Sequence, residues 1–359
     1  MFYKNYSYEK VKRFCINVFA GYGFSGRECE IITDVLLCAD LFGTESHGIQ
    51  RLIRYHTEIG AGMVNVDAVP DVIHETPVSA VIDANKGMGQ VVGVRSMELA
   101  IKKAQISGIG MISVRNSNHY GIAGYYTEMA AEADLMGICM TNTEAISVPT
   151  FGKKAMLGTN PIALSFPADP YNLLFDASTT VVTRGKVEVY NKNEKTLPDG
   201  WGINSDGQPC NDAGEVLKNI IEKLGGGISP LGGSTELQGG HKGYGLGLIV
   251  DLFTGILSSG STSNHVNDLK DQTDIAQFYM AVDYGLFGEK KAVKKHLSEF
   301  LDELRTSPKA EGQTRIYTHG EKEAESKKQK LTEGIPINER TLDEMRMIAK
   351  HHGIDPDID

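Results

Sequence analysis

A histidine, an arginine and a tyrosine recur at intervals of four residues near the start of the chain. They are His47, Arg51 and Tyr55, and Arg54 would lie on the adjoining flank if this segment is helical. An arginine can hold a carboxylate through two parallel N–H bonds, and a histidine can move a proton near neutral pH. The pattern therefore suits a small anion that gains or loses a proton. A solvated helix face with ordinary ion pairs would show the same pattern, so that alternative stays open.

A second histidine, His119, follows a predicted strand over residues 110–114 and precedes a predicted helix. Ligands of α/β proteins bind at the carboxyl ends of strands, and the polar residues 116–118 could orient the imidazole or simply cap the helix. Asp176 ends another apolar segment, residues 173–175. Beside a histidine it would fix the tautomer and support the charged form, and otherwise it would be a helix N-cap.

Two glycine clusters could approach a phosphate group. Residues 87–93 follow a predicted strand and open a helix, but the spacing is GxGxxxG and no acidic residue follows at the required distance. This argues against a Rossmann dinucleotide site and leaves a tight turn with close helix–strand packing. In residues 239–247, Lys242 lies among glycines at a predicted helix start, where its charge and free N–H groups suit a phosphate. A flexible hinge is the alternative.

The composition excludes several classes of protein. The 359 residues carry 36 Lys plus Arg against 46 Asp plus Glu, a net charge of −10, which argues against a nucleic-acid or anionic-membrane partner. Five cysteines without a CxxC pair predict a reduced, cytoplasmic protein. Scattered histidines without HxH or HExxH spacing, and the lack of a GxSxG elbow, argue against a metal site and a serine hydrolase. No apolar run reaches the ~20 residues of a membrane span.

The hydrophobic pattern predicts helices before residue 60 and an α/β alternation from residue 78. Ser25 and Glu28 have capping-box spacing at the start of the second helix. Residues 184–240 are polar and glycine-rich, and no element is predicted there. The predicted strands are residues 78–82, 110–114, 137–141, 162–166, 173–175 and 276–282, and the later helices are residues 91–105, 121–133, 244–257, 290–304, 321–330 and 341–351.

Seven motifs occur in one order along the chain: SHG at 46–48 with Arg51, VRNSNH at 114–119, LGTNP at 157–161, FDAST at 175–179, RGK at 184–186, PDGW at 198–201 and HKGYG at 241–245. In these motifs the chain resembles the type 2 malate/L-lactate dehydrogenase family, whose members are unrelated to the Rossmann-fold enzymes. The resemblance implies a mixed α/β fold of the sulfolactate dehydrogenase type, with a non-Rossmann NAD(P)-binding domain over residues 76–289. It also implies a helical domain of residues 1–75 that is completed by residues 290–359.

The resemblance further implies reversible hydride transfer between NAD, with NADP as the alternative, and a small 2-hydroxy acid, in a homodimer. Residues 118–126 look most like the malate-using branch, so malate is the favoured substrate, with Arg54 or a partner subunit holding its second carboxylate. Lactate, sulfolactate, ureidoglycolate, diketogulonate, cyclic imino acids and a non-catalytic anion-binding role are the alternatives. Either histidine could carry the proton. The implied site comprises catalytic His47, His119 and Asp176; substrate-binding Ser46, Arg51 and Tyr55; and cofactor-binding Thr143, Asp176, Ala177, Ser178, Lys242, His319, Gly320 and Glu321.

Overall fold

The computed structural model describes residues 3–268, 271–355 and 358. Its elements alternate between strands and helices through the middle of the chain. The strands are β1 (Tyr3–Tyr6), β2 (Asp71–Glu75), β3 (Ser79–Asp83), β4 (Ile109–Ser117), β5 (Met136–Thr141), β6 (Ile162–Phe166), β7 (Leu173–Ala177), β8 (Gly202–Ile203), β9 (Pro209–Cys210), β10 (Gly227–Ile228), β11 (Ile275–Val282) and β12 (Ile335–Asn338). The helices are α1 (Tyr8–Gly21), α2 (Gly26–Leu41), α3 (Leu52–Gly60), α4 (Gly89–Ser107), α5 (Ala123–Glu132), α6 (Arg184–Lys192), α7 (Ala213–Ile221), α8 (Gly240–Asp251), α9 (Lys290–Thr306), α10 (Glu321–Glu333) and α11 (Glu339–His352).

The centre of the molecule is a seven-stranded mixed sheet in the order β2-β3-β4-β11-β5-β6-β7. Only β3 and β4 pair in parallel, through the crossover helix α4, and the other neighbours are antiparallel. Helices α4 and α5 bury apolar residues such as Met97 and Tyr126 against one face. On the other face, Val250 of α8 packs with Met140 and Phe278. Because both faces are covered, the central strand β11 is apolar along most of its length, and the predicted α/β class is confirmed.

A second core joins the two ends of the chain. Strand β1 pairs with β12, and α1, α2, α3 and α11 pack together around buried side chains. Val18, Ile32 and Ile348 are fully buried there. The Ser25 capping box is confirmed, because Ser25 and Glu28 exchange hydrogen bonds at the start of α2. The division into a helical domain and a cofactor domain stays a prediction.

Helices α6 and α7 lie in the segment for which the sequence predicts no element. In α6 only Val187 is buried, so this helix has no apolar stripe to reveal it. In α7, by contrast, Val216, Leu217 and Ile220 recur at helical spacing and form a signal that is readable but short. Within the described residues, no helix is both long and apolar enough to cross a membrane.

Candidate active site

His47, Arg51 and Tyr55 would share one edge only if they lay on one continuous helix. The segment that carries His47 and Arg51 is not such a helix. It consists of two short 3-10 turns, Glu45–His47 and Ile49–Arg51, and only then does α3 begin. The break is at Gly48, where a Cβ would lie 2.1 Å from the Asp40 carboxylate of α2. The predicted i, i+4, i+8 edge is therefore wrong, because residues 45–51 do not continue α3, and the break coincides with a tertiary contact.

The broken segment nevertheless brings the predicted side chains together. The rings of His47 and His119 stack with centroids 5.6 Å apart. The Tyr55 hydroxyl is 2.8 Å from His119 Nδ1, and Ser46 Oγ is 2.9 Å from His47 Nδ1. Arg51 Nε donates to the Ser46 carbonyl at 2.5 Å. The five residues form one cluster, in which each histidine has its Nδ1 atom engaged by a hydroxyl group.

His119 is held by its neighbour, Asn118, directly after β4. The Asn118 amide donates to two carbonyls of the loop before α4, at 2.8 and 3.0 Å, and its oxygen accepts from Thr273 Oγ1 at 2.7 Å. A Cβ on Gly89 would lie 2.3 Å from the Asn118 carbonyl oxygen and 2.4 Å from that of His119. The near-miss glycine run at 87–93 therefore serves close helix–strand packing, as its structural interpretation predicts.

Burial and nearby cations keep both histidines neutral. Burial, together with the smaller effects of the Arg51 and Arg54 charges, lowers the pKa of His47 to about 4. The pKa of His119 is lowered well below its usual value by burial first, and then by Arg54, His47 and Arg51. The cluster can therefore accept a proton beside a cationic group. Within the part of the chain that the structure describes, no group of three His, Cys, Asp or Glu side chains is placed to hold a metal ion.

Two further arginines contribute positive charge to this region. Arg54, the predicted second substrate cation, already donates to Glu58 at 2.7 Å. Arg184 of α6 lies near enough that its charge lowers the pKa of Arg51, after the larger effects of burial and Arg54. It donates to Glu188 at 2.9 Å on the same helix. The sequence argument names Arg184 only as part of a motif, because nothing local indicates that α6 approaches Arg51.

Asp176 accepts a hydrogen bond at the start of another helix, and its catalytic and cofactor-binding roles stay predictions. Its Oδ2 atom accepts from Gly124 N at 2.7 Å, in the first turn of α5. Within the described residues, no histidine is hydrogen-bonded to it. Part of Asp176 is exposed to solvent, but protein atoms surround its carboxyl group and partly desolvate it. This desolvation raises the pKa of Asp176, and the hydrogen bond from Gly124 opposes the rise. The carboxylate of Asp176 thus caps a helix that begins four residues after His119.

A succession of backbone contacts links three of the predicted cofactor positions. Thr143 Oγ1 accepts from Thr159 N at 2.9 Å, and the Thr159 carbonyl accepts from Thr179 N, directly after Ser178. The Thr179 carbonyl in turn accepts a hydrogen bond from Leu231 N. Gly243, in the first turn of α8, packs closely against the Leu231 backbone. Lys242 lies in that first turn and is exposed. No ion pair of Lys242 occurs within the described residues, so its ammonium group is available beside the start of the helix.

The remaining cofactor positions form a turn that rests on β7. Leu174 N donates to the His319 carbonyl at 3.2 Å, and Ala177 ends the same strand. Gly320 has φ +100, and a Cβ on it would lie 2.5 Å from the Asn172 carbonyl oxygen. Glycine is therefore required there for both conformation and space.

The carboxylate of Glu321 is fully engaged within the protein. Arg305 donates to it, Arg315 Nη2 donates at 2.7 Å, and Thr318 Oγ1 donates at 2.6 Å. Burial alone would raise the pKa of Glu321, but these hydrogen bonds lower it to about 2. Any contact of Glu321 with a cofactor would therefore involve its backbone.

Several known proteins are similar to this chain in sequence and in fold. The sequence model of the malate/L-lactate dehydrogenase family matches residues 6–346. A malate dehydrogenase of Pyrococcus horikoshii is 44% identical over 97% of this chain and 95% of its own length. An L-sulfolactate dehydrogenase of Methanocaldococcus jannaschii is 35% identical over 96% of both chains. The crystal structure of malate dehydrogenase from Entamoeba histolytica superposes with a TM-score of 0.94 at 35% identity over 99% of both chains. The chain therefore belongs to the malate/L-lactate dehydrogenase family.

Proposed function

We propose that this protein catalyses the reversible, nicotinamide-dependent oxidation of a dianionic 2-hydroxy acid, malate above the others, to its 2-keto acid. As a member of its family, the protein is a 2-hydroxy acid oxidoreductase. The observation that carries the proposal is the pair of stacked histidines beside Arg51, with Tyr55 bound to His119 Nδ1 at 2.8 Å. This arrangement combines a proton acceptor with an anion site.

Arg51 holds the C1 carboxylate of the substrate. Its Nε atom is engaged by the Ser46 carbonyl, so its terminal amino groups remain for the ligand. A dianion requires a second cation, and Arg54 and Arg184 are the candidates, since both charges act on Arg51. Malate and sulfolactate, the substrates that the relatives' names give, both carry a second anionic group. The charge balance therefore favours such substrates over lactate.

His119 is the residue we assign as proton carrier. Tyr55, whose side chain is 1% exposed, holds its Nδ1 atom and leaves Nε2 for the substrate hydroxyl. The depressed pKa makes the free imidazole neutral and ready to accept a proton. A bound carboxylate neutralises the arginine charges that lower this pKa, and so the substrate itself stabilises the imidazolium that must return the proton. The Nδ1 atom of His47 is hydrogen-bonded to Ser46, and the His47 ring stacks against the ring of His119.

The residues around Lys242 fit a nicotinamide dinucleotide. The exposed ammonium group and the first N–H groups of α8, where Gly239 offers no capping side chain, suit a pyrophosphate. Thr143, Ala177 and Ser178 would line the path from there, and His319 and Gly320 would border it. A bound nicotinamide would supply the hydride acceptor, or in the reverse direction the donor, for C2 of the hydroxy acid. We assign NAD as the cofactor, with NADP as the alternative to be tested.

The test is an assay of a panel of 2-keto acids with NADH and NADPH in parallel, followed by the fall of reduced-cofactor absorbance. We expect oxaloacetate with NADH to be the best pair. His119→Ala should lose kcat by roughly 100-fold or more, as expected for removal of a general acid–base group, and His47→Ala should lose less. The control is His296→Ala, which changes an exposed histidine of α9. Cofactor binding without turnover of any keto acid would instead support the non-catalytic alternative.

We also infer a homodimer in a reducing, cytoplasmic location. A row of apolar side chains is exposed along α8 and along the π-helical turn that follows it, Leu252–Ile256. A contiguous patch of this kind marks a subunit interface. All five cysteines are free thiols, and this supports the reducing, cytoplasmic location. Light scattering coupled to size exclusion tests the dimer, which Ile256→Lys should weaken. The row consists of Leu246, Leu248, Ile249, Leu252, Ile256 and Leu257.

A further inference from the structure

A buried carboxylate reaches the active-site segment from a different helix. Asp40 is in the last turn of α2 and is 2% exposed. Its Oδ2 atom accepts a hydrogen bond from Ile49 N at 2.7 Å. Ile49 is the first residue of the 3-10 turn that ends at Arg51. Asp40 therefore caps this turn, although it is nine residues earlier in the chain.

The residue at the ordinary capping position of this turn is Gly48, which has no side chain to supply the cap. Its Cα atom lies so close to the Asp40 carboxylate that a Cβ would be 2.1 Å from Oδ1 and 2.4 Å from Oδ2. Gly48 has φ −89, so conformation alone does not demand glycine. Gly48 and Asp40 are thus a matched pair, in which the missing side chain of one makes room for the carboxylate of the other.

The backbone of Asp40 is held as firmly as its side chain. Its carbonyl oxygen accepts from Gly43 N at 3.0 Å and from Lys330 Nζ of α10 at 2.6 Å. The charged or titratable groups that act on its carboxylate are Lys330, Glu45 and the buried Cys15 thiol. The backbone of Asp40 is therefore held by α2 and α10, and its carboxylate holds the Ile49 amide from that position.

We propose that Asp40 is a positioning residue for this active site: its carboxylate fixes the Gly48–Ile49 break, and the break directs His47 toward His119 and Arg51 toward the substrate. This inference rests on the proposed function. His47 immediately precedes the break, and Arg51 is two residues after the capped amide. A turn released at Ile49 would displace both side chains together, so substrate binding and proton transfer would suffer while cofactor binding would not.

The experiment compares Asp40→Ala and Asp40→Asn with wild type in two measurements. The first is hydrogen exchange of the backbone amides over residues 44–55, which requires no activity. The second is kcat and KM for oxaloacetate, with KM for NADH, across a pH series. Asp283→Asn is the matched control, because Asp283 caps a 3-10 turn through Gly285 N at 2.9 Å. It follows β11 at the end of the sheet opposite to His119.

We expect Asp40→Ala to speed exchange at residues 48–52 and to reduce kcat/KM for oxaloacetate by roughly 10- to 100-fold, the effect of losing a hydrogen bond to a buried carboxylate. The KM for NADH should stay within about twofold, since that site is elsewhere. Asp40→Asn keeps an acceptor oxygen and should fall between wild type and Asp40→Ala. Because burial raises the pKa of Asp40 to about 7, against the hydrogen bond from Ile49 and the Lys330 charge, Asp40→Asn should also flatten the pH dependence of kcat/KM near neutrality.

Unchanged exchange at residues 48–52 in Asp40→Ala would overturn the proposal. A loss of kcat/KM that only follows the unfolded fraction, and that Asp283→Asn shares, would overturn it equally, since it would show a merely structural role. If wild type turns over no keto acid, the proposed function fails, but the exchange measurement still decides whether Asp40 positions the turn.

Discussion

The hydrogen bond from Tyr55 to His119 offers the sharpest test of the active-site geometry. The two atoms are 2.8 Å apart, and the Tyr55 side chain is 1% exposed, so water has no access to replace the phenol. Tyr55→Phe removes only the hydroxyl and leaves His119 Nδ1 without its partner. An unsatisfied buried group of this kind costs about 1–3 kcal/mol. If the imidazole needs that bond most while it carries the transferred proton, kcat/KM should fall by roughly 5- to 150-fold.

The assay is steady-state oxidation of NADH by oxaloacetate, with thermal unfolding measured on the same preparations. Tyr284→Phe is the control, because the Tyr284 hydroxyl is also bonded inside the protein, to Asp134, at the far end of the sheet. Both variants should lose stability, and only Tyr55→Phe should lose kcat/KM. If Tyr55→Phe keeps kcat/KM within about twofold of wild type, the phenol does not orient the His119 ring for proton transfer through Nε2. The assignment of His119 as proton carrier is then unsupported.

Three further predictions follow from close contacts and charge. Gly89→Ala should lower kcat more than tenfold, because its methyl group would lie 2.3 and 2.4 Å from the carbonyl oxygens of Asn118 and His119. Gly26→Ala is the control and should not lower kcat, because no atom lies within 4 Å of the added methyl group. Gly48→Ala should cost much less in an Asp40→Ala background than in wild type, and additive losses in this double-mutant cycle would contradict the matched-pair geometry. Glu321 has a pKa of about 2 in place of 4.5, so its ionised form stabilises the fold above about pH 5 and loses on the order of 2 kcal/mol of that contribution by about pH 3. Chemical denaturation should show a larger loss of stability between about pH 5 and about pH 3 in wild type than in Glu321→Gln.

The sheet could be predicted closely from the sequence, because its strands are short apolar runs bounded by polar turns. Residues 162–166 are an example, and β6 has the same bounds. The members of the histidine cluster were also predictable, since their residue types are informative wherever the backbone places them. Strands β1 and β2 were missed, because their side chains are largely exposed and show little apolar alternation.

The shape of the site could not be predicted, because it depends on contacts distant in the chain. The sequence of residues 47–55 permits a continuous helix, and nothing in it indicates that the Asp40 carboxylate approaches Gly48. The capping role of Asp176 depends likewise on Gly124, 52 residues earlier. Local periodicity contains no information on such contacts, whereas an unexplained glycine such as Gly48 can indicate that another atom occupies the space of its missing side chain.

The pairing of β1 with β12 has a consequence for the order in which the chain can fold. Tyr3 lies opposite Asn338, and the core around α1 and α2 is completed by α11. A ribosome adding about 5–20 residues per second would need roughly 15–70 s to make the partner of the first strand. During that time the apolar faces of the first two helices have no final cover, while the central sheet can already assemble. Newly made chains should therefore be most exposed to chaperone capture and aggregation through their N-terminal helices, and a variant with weakened β12 should accumulate in that state.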